Sequence, residues 1–405
     1  MKKSMGWLGV LAALSVSSAV AETQEIRALF QPDPSQPNKN VFVNQTPNSG
    51  YCASFPTQCA SFNMFSIQVP IRFNGARSFV PGDAIPIKVP ANWRQLTVTN
   101  RETQETETLE VRITGIGSQY ELSETAQKLT GAASALEGHQ KLWTTNSWVY
   151  APAPCLYSGV GAYSESNYRF FWRTPVEDAC TKVAAFNIPS IRLNTLDFAY
   201  ELRTPNPLGM SSGLYTGSLH YSVGTGMDFD TGPMFYADDP HLNLNFVLDV
   251  QHTLKVDLPP GGNKVSLEPA GGWQQWIDGG RKPTSIYRDQ LFYISASSRF
   301  KVMMQCRDSL GGDRCRMFGA GGNVTDVRTR LTLPAGLTQN GGGPVHQMLL
   351  LHNSWAGPFQ PGQYLERKEG MLRFEIPSDA INSLLRPGVS GTMSTQITII
   401  WDSEV

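Results

Sequence analysis

Apolar and polar residues alternate along most of this chain. From Phe65 onward, Ile67, Val69, Ile71 and Phe73 share one face, while Ser66, Gln68, Pro70 and Arg72 share the other. Ile85-Ile87-Val89, Leu109-Val111-Ile113 and Leu196-Phe198-Tyr200-Leu202 repeat the pattern in skipped steps. Successive side chains of a strand point to opposite faces of its sheet, so a period of two predicts strands with one buried side. The longest such run is Phe246, Leu248, Val250, His252, Leu254, Val256 and Leu258, with Asp249, Gln251, Thr253, Lys255 and Asp257 opposite. Another closes the sequence: Met393, Thr395, Ile397, Ile399 and Trp401 share a face before Asp402-Ser403-Glu404-Val405. Helical spacing is scarce. Leu129, Ala132, Ala133, Leu136 and Trp143 predict one helix within 124–142, and Ser378 caps a predicted short helix through Ala380, Ile381, Leu384 and Leu385, which Pro387-Gly388 stops.

Turns rich in Gly, Pro and Asn separate these strands, and the 37 Gly and 27 Pro are the punctuation of an all-β chain built from sandwiches. A polar, turn-prone stretch, Ala237-Asp238-Asp239-Pro240-His241, precedes the longest run and predicts a domain boundary near 240–245. The first 21 residues have the form of an export signal: a basic start at Lys2-Lys3, an apolar stretch Trp7–Val16 too short to span a bilayer, and Ala19-Val20-Ala21 as a cleavage site. Cleavage before Glu22 leaves 384 of the 405 residues, enough for two cores. The expected organisation is therefore a signal peptide at 1–21, a first domain at 22–242 and a second at 243–405. The mature chain would be exported, and no later run reaches the apolar length of a transmembrane helix.

Removing the leader leaves 31 basic against 34 acidic residues with no basic stripe, which argues against a nucleic-acid partner. Six cysteines in an exported chain read as disulfides, and they fall into three local pairs: Cys52–Cys59, Cys155–Cys180 and Cys306–Cys315. Loop-closure entropy allots each about 2.5–3.5 kcal/mol as an upper figure, the 155–180 loop gaining most. No Cys-x-x-Cys occurs and no His sits at ligand spacing from a Cys, so no metal or other cofactor is expected.

The second half, with its apolar strand at the C-terminal end, resembles the pilin domain of chaperone–usher fimbriae. A terminal strand frays unless it is tied into a sheet. The resemblance implies an immunoglobulin-like sandwich that lacks its final strand. A strand of the periplasmic chaperone would fill the groove first and the N-terminal donor extension of the next pilin later, and an outer-membrane usher is a further implied partner. Met393, Thr395, Ile397, Ile399 and Trp401 are then the residues beside the incoming strand. The first half is similar to the N-terminal domain of tip adhesins of the enterobacterial colonisation-factor type. Phe30-Gln31-Pro32-Asp33-Pro34, the loop from Tyr51-Cys52 to Cys59, and Gly217-Ser218-Leu219-His220-Tyr221 to Gly226-Met227-Asp228-Phe229-Asp230 carry that resemblance. It implies a second immunoglobulin-like sandwich that binds a surface glycan or glycoprotein at the fimbrial tip, with no free donor segment before Phe30.

Sugar sites use aromatic faces with a few polar groups. The richest such constellation is Trp143, Trp148 and Tyr150, followed by Tyr168, Arg169, Trp172 and Arg173 inside the Cys155–Cys180 loop. The competing reading puts Phe170 and Trp172 into the core, with Arg169, Phe171 and Arg173 outward. Asp228 and Asp230 lie about 7 Å apart on one face of a strand, a separation worth weighing against a glycosidase acid pair. Flanking Gly and Thr-Gly-Pro favour turn capping instead. No Gly-x-Ser-x-Gly or His-Glu-x-x-His occurs and the six histidines are scattered, so no catalysis is expected. A secreted carbohydrate-active enzyme and a non-binding initiator of the fibre are the alternatives.

Overall fold

The computed structural model describes residues 21–339 and 342–403. The export-signal reading rests almost wholly on residues before this range, and Glu404 and Val405 lie beyond it. Strands dominate, and the α-helices run from four to seven residues. Among the described residues no helix is long and apolar enough to cross a membrane.

The first unit is built on one large mixed sheet. Its main path runs from Phe235–Ala237 through Phe73–Gly75, Ile191–Leu193, Thr106–Leu122, Arg94–Asn100, Gly213–Ser222 and His241–Val250 to Glu22–Phe30 and Val43–Asn44. Thr106–Leu122 is the spine. It pairs with Arg94–Asn100, with Leu196–Arg203 and, further along, with Asn167–Arg173. A register shift at Ala199/Tyr200 lets so long a strand bend around the core. The period-two residues face that core as expected: Ile67, Val69, Ile71, Phe73, Ile85, Ile87, Val89, Leu109, Val111 and Ile113 are all buried. Where Asn167–Arg173 crosses the spine, glycine is required. A Cβ on Gly117 would sit 2.5 Å from the Phe171 ring.

The boundary expected at 242/243 is corrected. His241–Val250 belongs to the first unit, parallel to Glu22–Phe30 and antiparallel to Gly213–Ser222. Its Leu242, Leu244, Phe246, Leu248 and Val250 sit in the first core. The long alternating run is two strands, broken at 251–253, and Leu254–Asp257 opens the second unit. Alternation survives the break because Gln251 N–H donates to Phe30 O and His252 is held between the two units, which keeps the chain extended with the same phase. The helix expected in 124–142 is likewise two, Ala126–Thr130 and Ala135–Lys141. Gly131, at φ 66°, ends the first in the left-handed conformation. The helix near 378 is present as Ser378–Leu384, although Pro377 and not Ser378 precedes it at the cap.

The second unit is a two-sheet sandwich. One sheet runs Leu254–Asp257, Ile286–Ala296, Leu365–Ile376, Val324–Thr332, Arg314–Gly319 and Ser309–Gly311; the other runs Leu337–Gln339, Trp355–Pro361, Phe300–Cys306 and Ile397–Ser403. Between them lies a separate core that includes Phe292, Ile294, Phe300, Val302, Met304, Leu331, Phe359 and Leu372. The chain is thus all-β with two cores. The three disulfides pair as expected, Cys52–Cys59, Cys155–Cys180 and Cys306–Cys315.

Candidate functional site

Two places in the fold could engage another molecule. The first is a groove in the second unit. Ile397–Ser403 pairs along one edge with Phe300–Cys306, from Cys306↔Ile397 to Phe300↔Ser403. Its other edge has no strand partner among the described residues. The predicted terminal strand does not run unbroken. Met393–Ser394 pairs with Phe318–Gly319 in the opposite sheet, and the chain crosses between sheets at Thr395-Gln396. That crossing lines an open groove of about 250 Å³, whose apolar wall is Val265, Leu267, Met317, Val327, Phe374, Met393 and Ile397. Ile397, Ile399 and Trp401 pack on the second core yet stay half-exposed. Thr395 Oγ1 is buried there with no hydrogen-bond partner. Unpaired backbone beside half-covered apolar side chains is an edge that invites another strand.

The second place is the aromatic region of the first unit. Here the structure separates residues that the sequence grouped. Trp143, Trp148, Tyr168 and Trp172 are buried and cannot touch a ligand in this fold. Alternation along Asn167–Arg173 sends Tyr168, Phe170 and Trp172 to one side, where they close around Tyr120 and Trp148. Trp172 Nε1 donates to Trp148 O at 2.6 Å, and Tyr168 Oη donates to Ser147 Oγ at 3.1 Å. Burial raises the Tyr120 hydroxyl far above the ordinary phenol range. His139 Nδ1 accepts from Tyr120 Oη, its Nε2–H donates to Ser164 O, and burial pulls the imidazole below its usual range.

On the opposite face, Phe171 is also buried, against the expectation that it points outward. The disulfide-closed helices at Tyr51–Ser54 and Pro56–Ser61 cover it, with Tyr51 stacked on its ring at 5.0 Å. Arg169 donates to Asp197, a fully buried carboxylate that also accepts from Gln68, Thr195 and the Tyr51 N–H. Arg169 is therefore part of the frame. Of the seven candidates, Tyr150 and Arg173 remain accessible. Tyr150 is 49% exposed and stacks parallel on Tyr157 at 5.7 Å and 9°. Arg173 lies over the Phe62 ring at 4.1 Å and donates to Tyr157 O. Phe62, Leu156 and Tyr157 complete an exposed patch. The sequence reading missed these three; the placement of Leu156-Tyr157 directly after Cys155, where the disulfide fixes the backbone, was the available signal.

The carboxylate pair is structural. Asp228 accepts from Arg94 and from Ser222 N–H and Oγ, and Asp230 accepts from Gly232 N–H at 2.7 Å. Burial alone would raise the Asp228 carboxyl, but Arg94 and Ser222 outweigh it and hold the group below the usual range. Among the described residues no cluster of three or more His, Cys, Asp or Glu could hold a metal. The fold does bring two of the scattered histidines together: His220 and His241 sit with ring centroids 5.1 Å apart on the outer face of the first sheet.

No family model and no curated protein matches the chain. Among solved structures it is similar to the chaperone–tip adhesin complex of CFA/I fimbriae, with 9% identity over 95% of this chain and 97% of that one and a TM-score of 0.27. It is also similar to CfaE, the adhesive subunit of CFA/I fimbria of enterotoxigenic Escherichia coli, with 8% identity, 95% and 94% coverage and a TM-score of 0.27. A further neighbour is the CsuC–CsuE chaperone–tip adhesion subunit complex of Acinetobacter baumannii Csu pili, with 9% identity, 95% and 99% coverage and a TM-score of 0.21. These neighbours are tip adhesins of chaperone–usher fimbriae.

Proposed function

We propose that this protein is a chaperone–usher fimbrial tip adhesin, exported through the periplasm, with residues 22–250 as the receptor-binding unit and 254–405 as the unit that docks to the fibre. Two observations carry this reading: the free edge of Ile397–Ser403, which has no strand partner among the described residues, and the open groove at its start, lined by Ile397 and by apolar side chains of the opposite sheet. A strand supplied in trans gains main-chain hydrogen bonds along that edge and buries alternate side chains in the groove. A periplasmic chaperone, then the donor extension of the next pilin delivered at an outer-membrane usher, are the partners that such a groove suits. The strand Glu22–Phe30 is engaged in its own sheet, parallel to His241–Val250.

Receptor contact is assigned to the exposed patch of Phe62, Tyr150, Leu156, Tyr157 and Arg173. Its parallel tyrosines offer a flat face to the C–H side of a sugar, and Arg173 offers donors to hydroxyl or acidic groups. The test takes the full mature chain with and without a donor strand fused after Val405. The fusion should raise the unfolding temperature of the second unit and abolish chaperone capture. Ile397→Asp and Ile399→Asp should each weaken chaperone binding by placing a charge in the pairing region, at a cost of several kcal/mol. A second unit that is equally stable with and without the donor strand would sink the assignment. On a glycan array, Tyr150→Ala and Arg173→Ala should lose binding while keeping the wild-type unfolding temperature.

A further inference from the structure

We infer that His220 and His241 form a binding site for one divalent transition-metal ion of the zinc, nickel or copper class. His220 lies on Gly213–Ser222 and His241 opens the neighbouring His241–Val250, whose register pairs Ser222 with His241 and His220 with Asn243. The two imidazoles are therefore diagonal neighbours on one exposed face, and His220 Nε2 lies 3.4 Å from His241 Nδ1. A metal about 2.0–2.1 Å from each nitrogen at a near-tetrahedral angle holds its nitrogens about 3.3–3.4 Å apart and the ring centres about 5.2 Å apart. A straight N–H···N bond of the same length would instead hold the ring centres about 5.7 Å apart. The observed 5.1 Å fits the bent arrangement.

The surrounding hydrogen bonds prepare the same geometry. Asn243 Oδ1 accepts from His220 Nδ1–H at 2.9 Å, which leaves the Nε2 lone pair free. An outer acceptor on the second ring nitrogen is the usual support of a metal-ligating histidine. His241 is fixed at its backbone, where its N–H donates to Asp239 Oδ1 at 2.9 Å. That carboxylate also accepts from Glu22 N–H at 2.9 Å, which fixes the start of the strand. Both strands are paired along their length, so little freedom is lost when an ion joins the rings. Imidazole nitrogens suit zinc, nickel and copper, whereas magnesium and calcium demand oxygen. The remaining coordination positions face solvent and are open to water or to a donor from another molecule.

The test is a calorimetric titration of the untagged, full-length mature chain with zinc chloride, with nickel and magnesium chlorides in parallel. Zinc and nickel should bind at one site per chain and magnesium should not. His220→Asn and His241→Asn should each weaken zinc at least tenfold, since one imidazole cannot chelate, while unfolding at the wild-type temperature without metal. Asn243→Ala should weaken zinc by about 10–100-fold through loss of the outer support. His346→Asn should leave zinc binding unchanged. Zinc binding that survives both His220→Asn and His241→Asn, or two weak independent sites in place of one, would overturn the proposal.

Discussion

Lys182 carries its ammonium into the interior of the first unit and is fully buried. Its Nζ lies 3.1–3.2 Å from Thr145 O and Oγ1, Asn146 O and Ser147 O, so it ties down the loop that leads to Trp148 and Tyr150. Carbonyl dipoles only partly replace water, and burial pulls the amine down to about 8. The sign follows. Between pH 8 and the ordinary lysine range, the unfolded chain binds a proton that the folded chain has released, so stability rises with pH. Against a Lys182→Met variant, the wild type should gain about 2 kcal/mol between pH 7.5 and 9.5 in denaturant titrations, below the range where the buried tyrosines ionise. Parallel pH profiles for the two proteins would show that the ammonium is better solvated than its surroundings indicate. Trp172 belongs to the same layer. Trp172→Ala should cost about 3–5 kcal/mol of stability, the ordinary penalty for emptying an aromatic site in a core. A stable Trp172→Ala protein that failed only in receptor binding would return that tryptophan to the surface.

Among the elements, His241–Val250 decides where the first unit ends. It stands between Glu22–Phe30 and Gly213–Ser222, so removing it would expose the Glu22–Phe30 ladder and the core side chains of two neighbouring strands. A fragment of residues 22–242 should therefore aggregate, whereas 22–252 should be soluble and give a cooperative transition; circular dichroism and sedimentation check both. Soluble, cooperative folding of 22–242 would mean that the strand is dispensable. Alternation made these strands legible one at a time, down to which face each buries. It could not assign the strand to a unit, because Gln251-His252-Thr253 preserves the alternating phase across the joint while the ladder is broken. The parallel pairing of Glu22–Phe30 with a strand more than two hundred residues later left no local trace either. The candidate site was legible only in part for a related reason. Tyr168, Phe170 and Trp172 look the same in sequence whether their face meets solvent or Tyr120, and what covers Phe171 is a pair of helices a hundred residues upstream. The free edge was better marked, since the alternating Ile397, Ile399 and Trp401 are apolar side chains that need cover.

Among the described residues the two large cores, one in each unit, share no buried apolar residue. Several polar contacts join them. His252 Nε2–H donates to Met210 O at 2.9 Å, its Nδ1 accepts from Ser297 Oγ at 3.1 Å, and Ser297 Oγ accepts from Thr253 N–H at 2.9 Å. Arg299 and Glu105 add a distant ion pair at 3.9 Å. Contacts of this kind couple two cores weakly, so calorimetry of the mature chain should resolve two transitions. The lower belongs to the second unit, whose groove leaves apolar surface half-covered, and a fused donor strand should raise that transition alone. Acid should act mainly on the upper one. His139 lies wholly within the first unit, and burial holds both His139 and His252 below the usual imidazole range. The unfolded chain takes up protons below about pH 6.5 that the folded chain refuses, so stability is lost as pH falls from there. His139→Gln should flatten the acid slope of the upper transition and leave the lower one in place. A single transition that the donor strand moves as a whole would show that the two units fold as one body, with the joint at His252 carrying more free energy than its few hydrogen bonds account for.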